Sequence, residues 1–136
     1  MIARNRVHRF LTRRGSPDFV VEAGLAGLVR RWKETARAVR RGYPLGLDDY
    51  LNDLDGRQLI AEVLPLATPA ERKKLRSRVI EADTVFRNHS TAVRFCLWGA
   101  REANRRGWTS RRNWWYYRLP DASGHTLQAD LADRHT

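Results

Sequence analysis

The sequence predicts an all-α fold: two long antiparallel helices, two short helices bridging them, and an aromatic C-terminal strap that includes a short extended segment. Three observations carry this prediction. Apolar residues recur at three- and four-residue spacing over two long stretches. Residues that start and stop helices stand at the ends of those stretches. The densest aromatic run, 108–119 (WTSRRNWWYYRL), follows directly on the second stretch. With 136 residues, 42% of them hydrophobic, the chain is long enough for one domain with a core of its own. The expected boundaries are a basic flexible arm at 1–15, a single helical domain at 16–119 and a polar tail at 120–136.

Residues 1–15 carry Arg4, Arg6, Arg9, Arg13 and Arg14 and no acid, which is the composition of an arm that orders on a partner. Ser16-Pro17-Asp18 is a helix start: a hydroxyl N-cap, a proline in the first turn and an acid at the positive end of the helix. Val21, Leu25, Leu28, Trp32, Ala36 and Val39 then form one apolar stripe on a helix that Gly42 and Pro44 terminate. Arg30, Lys33, Arg37, Arg40 and Arg41 occupy its other face. Leu47, Tyr50, Leu51 and Leu54 predict the first short helix, with Asp48, Asp49 and Asp53 outward. Asp55 with Gln58 reads as a capping pair opening the second, which Pro65 ends.

Thr68-Pro69-Ala70-Glu71 is a capping box for the second long helix. Its stripe comprises Leu75, Val79, Ala82, Phe86, Val93, Leu97 and Ala100, with His89 on the same face, and Gly107 ends it. The helix either runs unbroken to Asn104 or pauses at Asn88-His89-Ser90, where Ser90 can recap it. Trp114 to Tyr117 favours an extended path by propensity, with a helical turn from Thr109 as the alternative.

Charge is the outlier of the composition. The 26 basic residues against 15 acidic give a net charge of +11, which points to an anionic partner. All the basic residues but Lys33, Lys73 and Lys74 are arginine. A coding bias produces such a pattern, yet the guanidinium fork also binds phosphate bidentately and stacks on rings. On one continuous helix, Arg76, Arg87, Arg94, Arg101 and Arg105 would fall within about 40° of each other, a row able to meet successive backbone phosphates. The same face of any amphipathic helix is solvated, so a plain surface role is the competing explanation. Trp98 would sit one turn from Arg94 and Arg101, off the core stripe, where a base can stack or the 108–119 segment can cover it. Arg111 and Arg112 extend the cluster into the aromatic run.

The expected function is therefore non-catalytic, sequence-independent binding of a DNA or RNA backbone, alone or as a small subunit of a larger ribonucleoprotein. The candidate contacts are Arg76, Arg87, Arg94, Trp98, Arg101, Arg105, Arg111 and Arg112. The alternative is a protein-interaction module, an adaptor, inhibitor or immunity factor, with Trp98 or Trp114 and Trp115 as anchors beside arginines. No catalytic residues, metal site or cofactor are expected: no nucleophile–base pair, ligand spacing or phosphate loop is present. His89 stands without a second ligand on its helix, and His8, His125 and His135 lie in the two expected flexible ends. A calcium loop centred on Gly56 would place Leu51 at the first ligand position, where it offers no side-chain oxygen. No membrane span or signal peptide is read from the sequence, and the lone Cys96 fits a cytoplasmic protein.

Overall fold

The computed structural model describes residues 2–134, with side chains from Arg6 onward. The side chain of Arg4 and the whole of His135 lie outside the described residues. The described residues form six α-helices, α1 (Ile2–Arg13), α2 (Asp18–Arg41), α3 (Leu47–Val63), α4 (Pro69–Asn88), α5 (Ala100–Arg106) and α6 (His125–Arg134), with strands β1 (Ser90–Ala92) and β2 (Arg118–Pro120). The fold is all-α, as the periodicity predicts.

The core is built on α2 and α4, which pack against each other through the expected stripes. Trp32 is 1% exposed and its ring lies 4.9 Å from that of Phe86. Thr68 caps α4 by accepting the Glu71 N–H at 3.1 Å. The two long helices run parallel, not antiparallel. Tyr43, just past α2, donates its N–H to Ala122, and Asp121 donates to His89, just past α4, so their C-terminal ends lie together. At the other end, α1 packs on α2 and also on the 3-10 turn Leu64–Leu66 that leads into α4. The returning element is α3, with Arg31 of α2 facing Asp53 and Arg14 facing Glu62.

The two short helices expected over 47–64 are one helix, α3. Gly56 costs helix stability, but Leu54 and Ile60 on either side of it are fully buried and hold both halves in one axis. Asp55 and Gln58 are therefore mid-helix neighbours and do not start a helix.

Two further expectations are corrected, and one open alternative is decided. The described part of the expected arm 1–15 is not flexible: α1 buries Val7 and Leu11 against the core, an apolar pair spaced by four that the arginines around it obscure. The described part of the expected tail 120–136, up to residue 134, is not free: α6 buries Leu127, and Asp130 accepts the Leu47 N–H at 2.9 Å, capping α3 from a distance of 83 residues. Of the two courses open to the second long helix, it takes the stop at Asn88-His89-Ser90 and does not reach Asn104, but Ser90 opens a strand and does not recap a helix. There the buried Ser90 hydroxyl donates to the Phe86 carbonyl and accepts from Arg118 Nε, replacing the next helical turn. Ser90 to Ala92 then pairs antiparallel with Arg118 to Pro120.

The aromatic strap wedges against α3 and α4. Trp114–Tyr117 is a 3-10 turn with Trp115 and Tyr116 buried, and β2 is its extended continuation. Arg57 of α3 lies 4.4 Å over the Trp115 ring, and Arg87 of α4 lies 3.9 Å over Trp114.

Candidate functional site

Because α4 ends at Asn88, the five-arginine row does not exist as one helical face. Arg76 and Arg87 stay on α4, Arg94 follows β1, and Arg101 and Arg105 belong to α5. Arg87 is committed to the strap through Trp114 and through its carbonyl, which accepts from Arg118. The small α5 instead gathers a different set.

Gly99, with φ +99°, turns the chain into α5, and Ala103 anchors that helix in the core. Gly107 ends it in the left-handed region at φ +72°. Trp108 then folds back, its N–H donating to Ala103 O, and its ring stacks on Tyr116 at 4.1 Å. The turn that follows is held by side chains: Thr109 Oγ1 accepts the Arg112 N–H, Asn113 Oδ1 accepts the Thr109 N–H, and Asn113 Nδ2 donates to Gln58 Oε1 at 2.9 Å. This pins the Arg111–Arg112 turn beside α3.

Two adjoining recesses open here. The first, about 400 Å³, is lined by Arg14, Asp55, Gln58, Trp98, Arg106, Trp108 and their neighbours. The second, about 480 Å³, shares Arg14, Gln58, Arg106 and Trp108 and adds Glu62, Arg105 and Arg112. Four guanidinium-bearing residues from three parts of the chain thus surround one groove. Arg14 pairs with Glu62 at 2.6 Å, while Glu102 accepts from Arg105 Nη2 and Arg106 Nε, each at 2.8 Å. These hydrogen bonds hold the Glu102 carboxyl down at about 2, so it is a fixed anion orienting two arginines and not a proton donor.

Asp55 ties Trp98 and Tyr116 together in the lining of the first recess. Its Oδ1 accepts Tyr116 Oη at 2.6 Å and Trp98 Nε1 at 3.0 Å. Burial raises its carboxyl above the ordinary value, against the lowering effect of those two hydrogen bonds. Trp98, 39% exposed, is therefore tethered by its edge.

Of the sequence-predicted residues, the structure brings together Trp98, Arg105 and Arg112 at the groove and leaves Arg111 exposed on the same turn. Arg76, Arg87, Arg94 and Arg101 line neither recess. Sequence reasoning missed Arg14, Arg106 and Trp108 as members of one site. A signal for Arg14 existed: Val7 and Leu11 at helical spacing imply that the N-terminal segment packs back on the domain. Among the described residues, no group of His, Cys, Asp and Glu could hold a metal ion, and no helix is long and apolar enough to cross a membrane. Compared with known proteins, the chain matches no family model, no curated protein and no solved structure.

Proposed function

We propose that the protein is a non-catalytic, sequence-independent nucleic-acid-binding protein that grips the backbone of DNA or RNA, alone or as a small subunit of a ribonucleoprotein. The observation that carries this reading is the convergence of Arg14, Arg105, Arg106 and Arg112 on one groove beside Trp98 and Trp108. A guanidinium has five N–H donors, so an arginine held by a carboxylate on one edge keeps donors for a phosphate on the other. Glu62 and Glu102 neutralise part of this charge and fix its geometry, while Arg111 adds to it from the neighbouring turn. Contacts of this kind bind phosphates without reading bases.

The test is the salt dependence of binding to unrelated 20-residue DNA and RNA probes, by fluorescence anisotropy, on the full chain. Replacing Arg105, Arg106 and Arg112 by Gln should flatten the log–log salt slope by nearly three for duplex DNA, about 0.9 per lost phosphate contact. An unchanged slope in a folded variant, or no binding even at low salt, rejects the proposal. A protein-interaction module is the second reading, favoured by the exposed rings of Phe95 and Trp98, 42% and 39% accessible in the same segment. It is the reading that survives if nucleic acid does not bind.

A further inference from the structure

Resting on that reading, we infer that the first recess takes an unpaired nucleobase, so that the substrate class is single-stranded nucleic acid and not duplex. The recess has about 400 Å³, at the lower end of the range of small-ligand sites and sufficient for one base with its sugar. The indole in its wall that can take a base is Trp98, since Trp108 is already stacked on Tyr116 at 4.1 Å with Arg106 5.7 Å over its ring, and base–indole stacking is independent of base identity. Trp98 cannot swing freely, because its Nε1 is bonded to Asp55, so its ring is already oriented before a ligand arrives.

Two lining residues of the recess, Asp55 and Gln58, offer one acceptor and one donor. Both hydrogen bonds to Asp55 end on Oδ1, which leaves Oδ2. Gln58 uses Oε1 to accept from Asn113, which leaves its Nε2 amide as a donor. The two residues are three apart on α3, hence neighbours on one helical face. Every Watson–Crick edge sets a donor next to an acceptor, so all four bases satisfy this pair. In a duplex those edges are occupied and the bases are stacked out of reach. Arg14 and Arg106, shared between the two recesses, stand where the phosphates flanking an inserted base would run.

The test compares three probes with wild-type protein at one moderate salt concentration: a single-stranded 12-mer, the same sequence as a duplex, and a 12-mer of abasic residues with an intact phosphodiester backbone. The single strand should bind about tenfold tighter than either of the others, the contribution of one stacked base. Trp98→Ala should bring single-strand affinity close to that of the abasic probe, and Trp98→Phe, which keeps a ring but loses the Asp55 tether, should fall between Trp98→Ala and wild type, with circular dichroism confirming the fold of each. Equal affinity for all three probes overturns the base site and leaves the backbone reading standing. Failure of all three to bind when the comparison is repeated at low salt overturns both. Binding of a free nucleoside monophosphate without binding of the strand also overturns both, and identifies a mononucleotide site. The comparison of probes needs no variant, so it decides the matter even if Trp98→Ala does not fold.

Discussion

The Asp83 carboxylate accepts Trp32 Nε1 at 2.8 Å and a forked pair of bonds from Arg57 Nε and Nη2 at 2.9 and 3.0 Å. Arg57 in turn lies over Trp115, so α2, α3, α4 and the strap meet at one charge. The Arg57 side chain is only 11% exposed, and removing its partner would leave an almost buried cation unpaired. Asp83→Ala should therefore cost about 3 kcal/mol in urea unfolding. A loss below about 1 kcal/mol would mean that Arg57 finds water or another acceptor at once. Asp55 behaves differently. Burial raises its carboxyl in the folded chain, so folding binds a proton there, and its contribution to stability is full below the unfolded value and fades as pH rises through the folded one. Asn at this position retains an acceptor for Tyr116 and Trp98 and does not titrate. The stability of Asp55→Asn relative to wild type should improve as pH rises from about 4 upward. A relative stability that is flat or falling over that range would show that the two hydrogen bonds outweigh the burial.

At the scale of elements, the long helices were legible because each presents a wide apolar stripe, and Trp32 occupies the core position its phase predicts. Thr68 caps α4 as expected, whereas α2 starts behind Pro17 without the expected side-chain cap from Ser16. The end helices were not legible, because in α1 two buried residues are set among arginines, and in α6 one buried Leu127 is set among small polar residues. Their cost of formation is met by docking, which no local pattern records. The Asp130 cap is the clearest case: it joins positions 47 and 130 through one hydrogen bond. Asp130→Ala should lower stability by about 1 kcal/mol, the cost of a lost N-cap, and deletion of α6 should cost more because it uncovers α3 and leaves a cavity at Leu127. Identical melting curves for the full chain and the deletion would show that α6 does not dock in solution. Within α2, Gly24 adopts φ +62° and ψ −153°, a region open almost only to glycine, and kinks the helix. The kink brings the site of a Gly27 Cβ to within 2.3 Å of Ala23 Cβ. Gly24→Ala should cost about 1–3 kcal/mol through backbone strain alone, since nothing stands within 4 Å of the added methyl. A neutral effect on denaturant unfolding would mean that α2 straightens there without penalty.

Over the whole molecule, the candidate groove could not be read from helical phase, because it is made by the place where phase is lost. Ser90 ends α4, the chain reverses through β1, and only then do Trp98 and α5 face α3. The arginine and aromatic content of residues 94–112 was visible in the sequence; which of those residues face Arg14 was set by contacts some 90 residues apart. The same long-range charge distribution governs stability. Arg14, Arg31, Arg57, Arg105 and Arg106 pair with carboxylates, while the chain carries 26 basic residues and a net charge of +11. Uncompensated like charge destabilises a compact state, and salt screens it over a Debye length that shrinks to about 8 Å at physiological ionic strength. The pairs should lose less than the repulsion gains, because exposed pairs such as Arg105–Glu102 contribute little and Arg57–Asp83 is shielded from solvent. The melting temperature should therefore rise by several degrees as sodium chloride increases from about 20 to about 300 mM, a range over which the Debye length falls several-fold. A short polyphosphate chain at low ionic strength should raise it further, since a ligand that binds only the native state adds its binding free energy to stability. A melting temperature that falls with salt would place the balance with the ion pairs, and polyphosphate without effect would show that the arginines do not form a surface that holds phosphate.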